Sequence, residues 1–168
     1  MFSRIFSCYK PKLEKNDTIT ENTISKKIQW SDTLQFVPSI NTGIVIKVYD
    51  GESFTLAGRL PYNESALYRF SVRLNGIDCP EIKGKTEEEK ICATRARQEL
   101  EKLIMGNVVI LKNIKNEKYG RILADVFIGE LHVNQYMIDK GLAIEYDGSS
   151  KTTRSWFEIY KDKNDHLS

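Results

Sequence analysis

The sequence predicts an α+β protein built on a five-stranded Greek-key β-barrel of the OB type with three helices. The first observation is the order of its elements, which is three short strands, a helix, two strands and then two helices. The second is that turn residues bound each strand. The third is length, because 168 residues suffice for one compact domain and are few for two.

The first three predicted strands follow from runs of β-branched residues and from alternation. Residues 44–49 form an apolar run, and the turn dipeptide at 50–51 joins it to a second strand near residues 54–56. The third strand covers about residues 67–75, where apolar and polar positions alternate. This alternation predicts that Arg73 lies on the polar face.

The long helix of the second half has the clearest start and stop signals. Thr86 followed by Glu89 predicts a capping box, and Gly106 is the expected stop. Four further elements and a polar loop follow, at residues 108–111 (strand), 115–120 (loop), 122–128 (strand), 133–140 (helix) and 153–161 (helix).

Composition separates an N-terminal extension, residues 1–41, from the folded domain, residues 42–168, because residues 10–41 are polar with few apolar positions. The net charge of +2 gives no global basic field, so any affinity for phosphate must come from a local cluster. The three cysteines include no close pair, so neither a disulfide framework nor a zinc site is expected.

The sequence contains no apolar run of about eighteen residues and no apolar secretory core, which favours an intracellular, cytoplasmic protein. Residues 1–12 have helically spaced apolar positions beside basic ones, which allows a weak membrane contact. A frayed tail is the favoured alternative, since so short a helix is marginal alone.

Six charged side chains are expected to meet at the mouth of the barrel. Clustered carboxylates repel one another unless a cation lies among them, and hard oxygen ligands without histidine favour Ca²⁺ or Mg²⁺ over Zn²⁺. Arginine forks suit a phosphodiester whose negative charge grows in the transition state. The six residues are Asp50, Glu52, Arg73, Asp78, Glu81 and Arg121.

Four stretches of the sequence together resemble the staphylococcal nuclease (thermonuclease) family. They occur in the family's order between residues 43 and 156, which is more specific than any single short match. The stretches are residues 48–53, containing Asp50-Gly51-Glu52, then 72–81, 118–121 and 133–143.

The resemblance implies a Ca²⁺-dependent phosphodiesterase that cuts DNA and RNA with low sequence specificity and leaves 3′-phosphate ends. Arg73 and Arg121 match the pair that holds the phosphate, and Glu81 matches the acid that positions or deprotonates the attacking water. The implied metal ligands and substrate contacts are Glu52, Asp78 and the backbone carbonyl of Cys79, then Lys118, Tyr119 and Tyr146.

Two positions depart from the family's usual pattern. Glu52 stands where aspartate is usual, and Cys79 where threonine is frequent. Because Ca²⁺ tolerates flexible geometry, the longer Glu52 side chain is expected to retune metal affinity without abolishing it. Only the carbonyl of Cys79 is needed.

The expected partners are single-stranded or double-stranded DNA and RNA, bound by a monomer with no stable protein partner. The alternative is a catalytically silent barrel that binds nucleic acid or a protein, as fold and function can separate. Glu81 favours the enzyme, because a binding module has no need of it. A third hypothesis gives the N-terminal extension a tethering role. Asn134 is predicted to be a buried structural hydrogen-bonder.

Overall fold

The computed structural model describes residues 28–117, 119–148 and 154–164. The chain divides into two compact units, Met1–Phe36 and Val37–Ser168. The described part of the first unit contains a 3₁₀ helix, Trp30–Asp32, whose Asp32 carboxylate accepts a hydrogen bond from the Gln29 N–H at 2.9 Å. The predicted membrane contact at residues 1–12 and the predicted substrate contact Lys118 lie outside the described residues.

The second unit, within its described residues, contains eight strands and three helices. They are β1 Thr42–Val48, β2 Ser53–Arg59, β3 Leu67–Leu74, β4 Ile77–Asp78, α1 Glu87–Ile104, β5 Val108–Asn116, β6 Ile122–Ile128, β7 Leu131–His132, α2 Val133–Asp139, β8 Ile144–Glu145 and α3 Trp156–Asn164.

Five of the strands close into a barrel. Strands β1, β2 and β3 form an antiparallel meander, and β5 pairs antiparallel with both β1 and β6. Parallel pairing of β6 with β3 closes the barrel, with Val72 opposite Ile122 and Leu74 opposite Ala124. The order β1-β2-β3-β6-β5 and back to β1 is that of an OB-type barrel, so the predicted fold class is confirmed.

Helix α1 begins where the sequence predicts. The hydroxyl of Thr86 accepts the Glu89 N–H at 3.1 Å, and the Glu89 carboxylate accepts the Lys85 N–H at 3.0 Å. The second bond is therefore made one residue earlier than in a standard capping box. Gly106, at φ 72°, follows the helix in a left-handed conformation that a side chain would disfavour. The residues of α1 buried in the barrel core are Ala96, Leu100 and Ile104.

Strand β5 ends at Asn116, whereas the sequence predicted that the strand ends at residue 111 and that a loop begins at residue 115. The predicted start of the loop was therefore wrong by two residues. Lys115 and Asn116 still pair with Leu123 and Ile122. The alternation is lost because the register shifts between Lys112 and Lys115, where Asn113 takes a φ of 51°. A bulge on a solvent-facing strand leaves a polar sequence that resembles a loop.

The short pairing of β4 with β8 has no clear sequence signal. Asp78 lies opposite Ile144, and the Tyr146 N–H donates to the Gly76 carbonyl at 2.9 Å. These bonds hold residues 76–78, which follow β3, against residues 144–146. They position Asp78 and Tyr146, two of the predicted site residues.

The two shorter helices differ little from prediction. Helix α2 ends one residue earlier than expected, and α3 occupies Trp156–Asn164 in place of residues 153–161, of which 153 lies outside the described part. Ile159 of α3 is buried. None of the described helices combines the length and the apolar character needed to cross a membrane.

Candidate active site

One cleft at the barrel mouth, called the main cleft below, brings together seven of the nine predicted site residues. Its volume is about 710 Å³. Lys118 lies outside the described residues, and Cys79 lines a neighbouring cleft of about 410 Å³ that shares three carboxylates with the main cleft. The seven residues are Glu52, Arg73, Asp78, Glu81, Tyr119, Arg121 and Tyr146.

Glu52 and Arg73 form a close ion pair in the main cleft. Glu52 Oε1 lies 2.8 Å from Nη2 and 3.0 Å from Nε of Arg73. Its other oxygen accepts the Cys79 N–H at 3.2 Å. The barrel register explains the contact, because the next residue after Glu52, Ser53, pairs directly with Arg73. Both carboxylate oxygens of Glu52 therefore already accept hydrogen bonds.

Burial raises the pKa of the Glu52 carboxyl to about 7, even though the Arg73 guanidinium acts to lower it. The negative charges of Asp78 and Asp50 raise this pKa further. Loss of hydration disfavours the charged form, and so do like charges. An additional cation near Glu52 would favour the charged form of the carboxyl and so oppose both effects on its pKa.

Asp78 and Glu81 lie on either side of a buried two-residue segment, Cys79 and Pro80. Asp78 is buried on β4, with Oδ1 3.6 Å from Arg73 Nη2. Glu81 is exposed and lines both clefts, and its carbonyl accepts the Gly84 N–H at 2.8 Å. Pro80 between them is buried. The segment is thus flanked by one buried carboxylate, Asp78, and one exposed carboxylate, Glu81.

Two hydrogen bonds hold the Arg121 guanidinium against Glu117, a residue that the sequence motifs did not single out. Its Nε and Nη2 donate to Glu117 at 2.7 and 2.6 Å, and Nη1 donates to Ser53 Oγ at 3.2 Å. The hydrogen bonds to Glu117 raise the pKa of Arg121. Glu117 lies in the β5–β6 turn, where its N–H donates to the Arg121 carbonyl. Because Glu117 and Arg121 meet in a turn between two strands and not on a helix, their spacing of four residues did not predict the pair.

Two tyrosines border the same cleft. The Arg73 guanidinium carbon lies 6.0 Å from the centre of the Tyr146 ring, at the outer limit of a cation–π contact. Tyr119 is exposed in the β5–β6 turn. Aromatic rings beside a cleft lined by arginines suit stacking of bases without sequence preference.

The described residues contain no group of three or more His, Cys, Asp or Glu side chains placed to hold a metal ion together. Burial raises the pKa of the Cys79 thiol well above its usual value, so the thiol stays neutral. A neutral thiol is a poor nucleophile and a poor metal ligand. The backbone carbonyl of Cys79 is therefore the group of this residue that could serve as a ligand, and its role stays a prediction.

Asn134 is buried and joins β6 to the residue that follows β3. Its Oδ1 accepts the Val126 N–H at 2.9 Å, and its Nδ2 donates to the carbonyls of Asn75 and Ala124 at 2.8 and 3.2 Å. Asn75 directly follows β3, so these bonds hold the strand end that carries Arg73. The predicted structural role of Asn134 is confirmed.

The fold and the cleft define an OB-type barrel with a site suited to anionic phosphate. The family model described as staphylococcal nuclease homologue matches residues 71–164. That match covers more than half of the chain, and the chain belongs to this family, as the sequence motifs indicated.

Relatives of the chain carry nuclease names. A probable endonuclease of Schizosaccharomyces pombe is 33% identical over 129 residues, which cover 64% of this chain and 56% of the relative. A staphylococcal-like nuclease of Arabidopsis thaliana is 34% identical over 85 residues, covering 50% and 24%. A probable endonuclease of Nakaseomyces delphensis is 27% identical over 144 residues, covering 83% and 50%. The chain therefore spans at most 56% of the length of these relatives.

Proposed function

We propose that this protein is a Ca²⁺-dependent phosphodiesterase that hydrolyses DNA and RNA with low sequence specificity and leaves 3′-phosphate ends. The observation that carries the proposal is that Arg73, Arg121 and Glu81 line one cleft. Family membership and the endonuclease names of relatives support the same reaction class.

The two arginines would bind the phosphate and stabilise its developing charge. A phosphate oxygen that enters the cleft replaces Glu52 as the partner of Arg73, or Glu117 as the partner of Arg121. Each arginine then exchanges one anionic partner for another. Charge on the phosphoryl oxygens increases as water adds to phosphorus, and these charge-assisted bonds then strengthen. Binding that strengthens in the transition state accelerates the reaction.

Glu81 would act as the general base. An ionised carboxylate accepts a proton from water, whereas an arginine has no acceptor. As the new bond to phosphorus forms, the water proton moves to Glu81 and the bond to the 5′ oxygen breaks. The 5′ oxygen takes a proton from solvent, and the phosphate remains on the 3′ oxygen.

The donor chemistry at Glu52 and Asp78 fits Ca²⁺, since both are hard carboxylate ligands and the Cys79 carbonyl adds a third oxygen. The raised Glu52 pKa also indicates a place where a cation is favourable. Both oxygens of Glu52 accept bonds from protein groups, so ion binding competes with Arg73 for this carboxylate. A bound ion would neutralise charge on the scissile phosphate.

A catalytically silent binding barrel is the second candidate. It is favoured by the carboxylate pairing of both arginines, because Glu52 and Glu117 occupy the groups that would hold phosphate. In this case nucleic acid or a protein partner binds without being cut.

Cleavage of single-stranded DNA by purified protein, with Ca²⁺, Mg²⁺ or chelator, tests the proposal. We expect Ca²⁺-dependent cutting, products with 3′-phosphate ends by mass spectrometry, and a loss of about 10²–10⁴-fold in Glu81→Gln, the usual contribution of a general base. Glu88→Gln, an exposed change of the same kind in α1, should retain full activity. Binding without cutting under all three conditions would favour the silent barrel.

Arg73→Ala controls for contaminating nuclease. Removing a group that stabilises the developing charge typically lowers kcat by about 10²–10³-fold. Cutting that persists unchanged in both Arg73→Ala and Glu81→Gln would mean that the activity belongs to another protein in the preparation.

A further inference from the structure

We propose that Arg69 and Lys47, on the outer face of β1–β3, form a second phosphate-binding position that holds single-stranded nucleic acid where it leaves the main cleft. The inference rests on the proposed function and extends it. It assigns a role to two exposed cations outside the cleft.

The strand register places Arg69 on the same face as Arg73. Ser53, Thr55 and Ala57 of β2 pair with Arg73, Ser71 and Arg69 of β3. Alternate residues of a strand point to the same side of the sheet. The three cross-strand pairs on this face are called rows below. They extend from the cleft in the order Ser53–Arg73, Thr55–Ser71 and Ala57–Arg69.

Lys47 lies on the middle row of this face. It pairs with Thr55, and its ammonium lies 4.7 Å above the Tyr49 ring, whose hydroxyl is 2.9 Å from Thr55 Oγ1. The first row is joined to the cleft by Arg121, which donates to Ser53. Each of the three rows therefore carries at least one cation.

The spacing of the rows suits an extended strand of nucleic acid. At ~3.4 Å per antiparallel residue, the rows repeat every ~7 Å and Arg69 lies ~14 Å from Arg73 along β3. The length of an extended nucleotide is of the same order as the ~7 Å distance between neighbouring rows. Arg69 would then contact a phosphate roughly two nucleotides from the one being cut, on a basic surface that follows the backbone.

The charge of the face also favours an anion. The paired positions of the second and third rows are Lys47, Thr55, Ser71, Ile44, Ala57 and Arg69, which include two cations and no acid. Among the described residues, no carboxylate forms an ion pair with Arg69. A phosphate at Arg69 therefore displaces no carboxylate of the described residues, in contrast to the two arginines of the cleft.

Oligonucleotide binding in chelator, measured by fluorescence anisotropy against salt concentration, tests this position. For a single strand of about ten nucleotides, Arg69→Ala should bind roughly threefold to tenfold more weakly, and its slope of log K against log salt should fall by about 0.7. Lys47→Ala should act in the same direction. A dinucleotide, too short to reach the third row, should bind wild type and Arg69→Ala equally.

Two further variants separate a specific contact from a change in net charge. Arg69→Lys should recover most of the salt slope, and Lys102→Ala, which removes an exposed cation from α1, should leave it at the wild-type value. An equal fall in Lys102→Ala, or an unchanged slope in Arg69→Ala, would overturn the second position. A wild-type protein that neither binds nor cuts the long strand would overturn the proposed function itself.

Discussion

Replacement of Asn134 by alanine should destabilise the protein more than any nearby polar change, because this side chain makes three hydrogen bonds in a buried site. A typical bond contributes about 1 kcal/mol net, and a buried group left without a partner costs about 1–3 kcal/mol. The sum is about 3 kcal/mol, a change on the order of a hundredfold in the folding equilibrium. The total stability of a domain is only about 5–15 kcal/mol.

Urea unfolding followed by circular dichroism measures this loss. With a slope of about 2 kcal/mol per molar, the midpoint should fall by roughly 1.5 M while the slope stays unchanged. Asn107→Ala is the matched control, because its exposed amide makes one bond, to the Leu103 carbonyl at 2.9 Å. That variant should lose less than about 0.5 kcal/mol. A loss below about 1 kcal/mol in Asn134→Ala, at constant slope, would refute the reasoning.

Two other changes have outcomes set by named contacts. A Cβ on Gly51 would lie 2.7 Å from Ala96 Cβ and 3.0 Å from Cys79 Sγ, so Gly51→Ala should cost about 1–3 kcal/mol in urea unfolding. Ala96→Gly should offset part of that loss in the double variant, and strictly additive losses would contradict a steric cause. The Tyr136 hydroxyl donates to Glu99, and this bond raises the pKa of Tyr136 to about 12 from 10.0. The stability from this bond is complete below about pH 10 and is lost as pH rises toward 12. The free energy of unfolding of wild type should therefore exceed that of Tyr136→Phe by less and less across that interval. A constant difference in the free energy of unfolding would contradict this link.

The barrel could be predicted because each strand carries its own local signal. The β-branched run before Asp50, the alternation around Arg73 and the cap at Thr86 depend on residues close together in the chain. Local signals fail at the β5 bulge, where Asn113 breaks the alternation while pairing with β6 continues. Pairing is a property of two strands, and a single stretch of sequence does not display it.

The candidate site was predictable to a similar extent and for a similar reason. Arg73, Asp78 and Glu81 lie within nine residues, so their proximity follows from a strand and a turn. The partners of the arginines do not follow from the sequence in this way. Glu52 reaches Arg73 across the β2–β3 register, and Glu117 reaches Arg121 only through the geometry of the β5–β6 turn.

By itself, then, the sequence determined the order of the five barrel strands and the three helices, the family and the identity of the charged groups, because these depend on residue type and short spacing. Only the tertiary structure decided how those charges pair. Closure of the barrel brings β2 beside β3, so Glu52 becomes the partner of Arg73 and burial raises its pKa to about 7. The same register aligns Arg69 with Arg73 on one face, since position on a sheet is fixed by the strand alongside as much as by the strand itself.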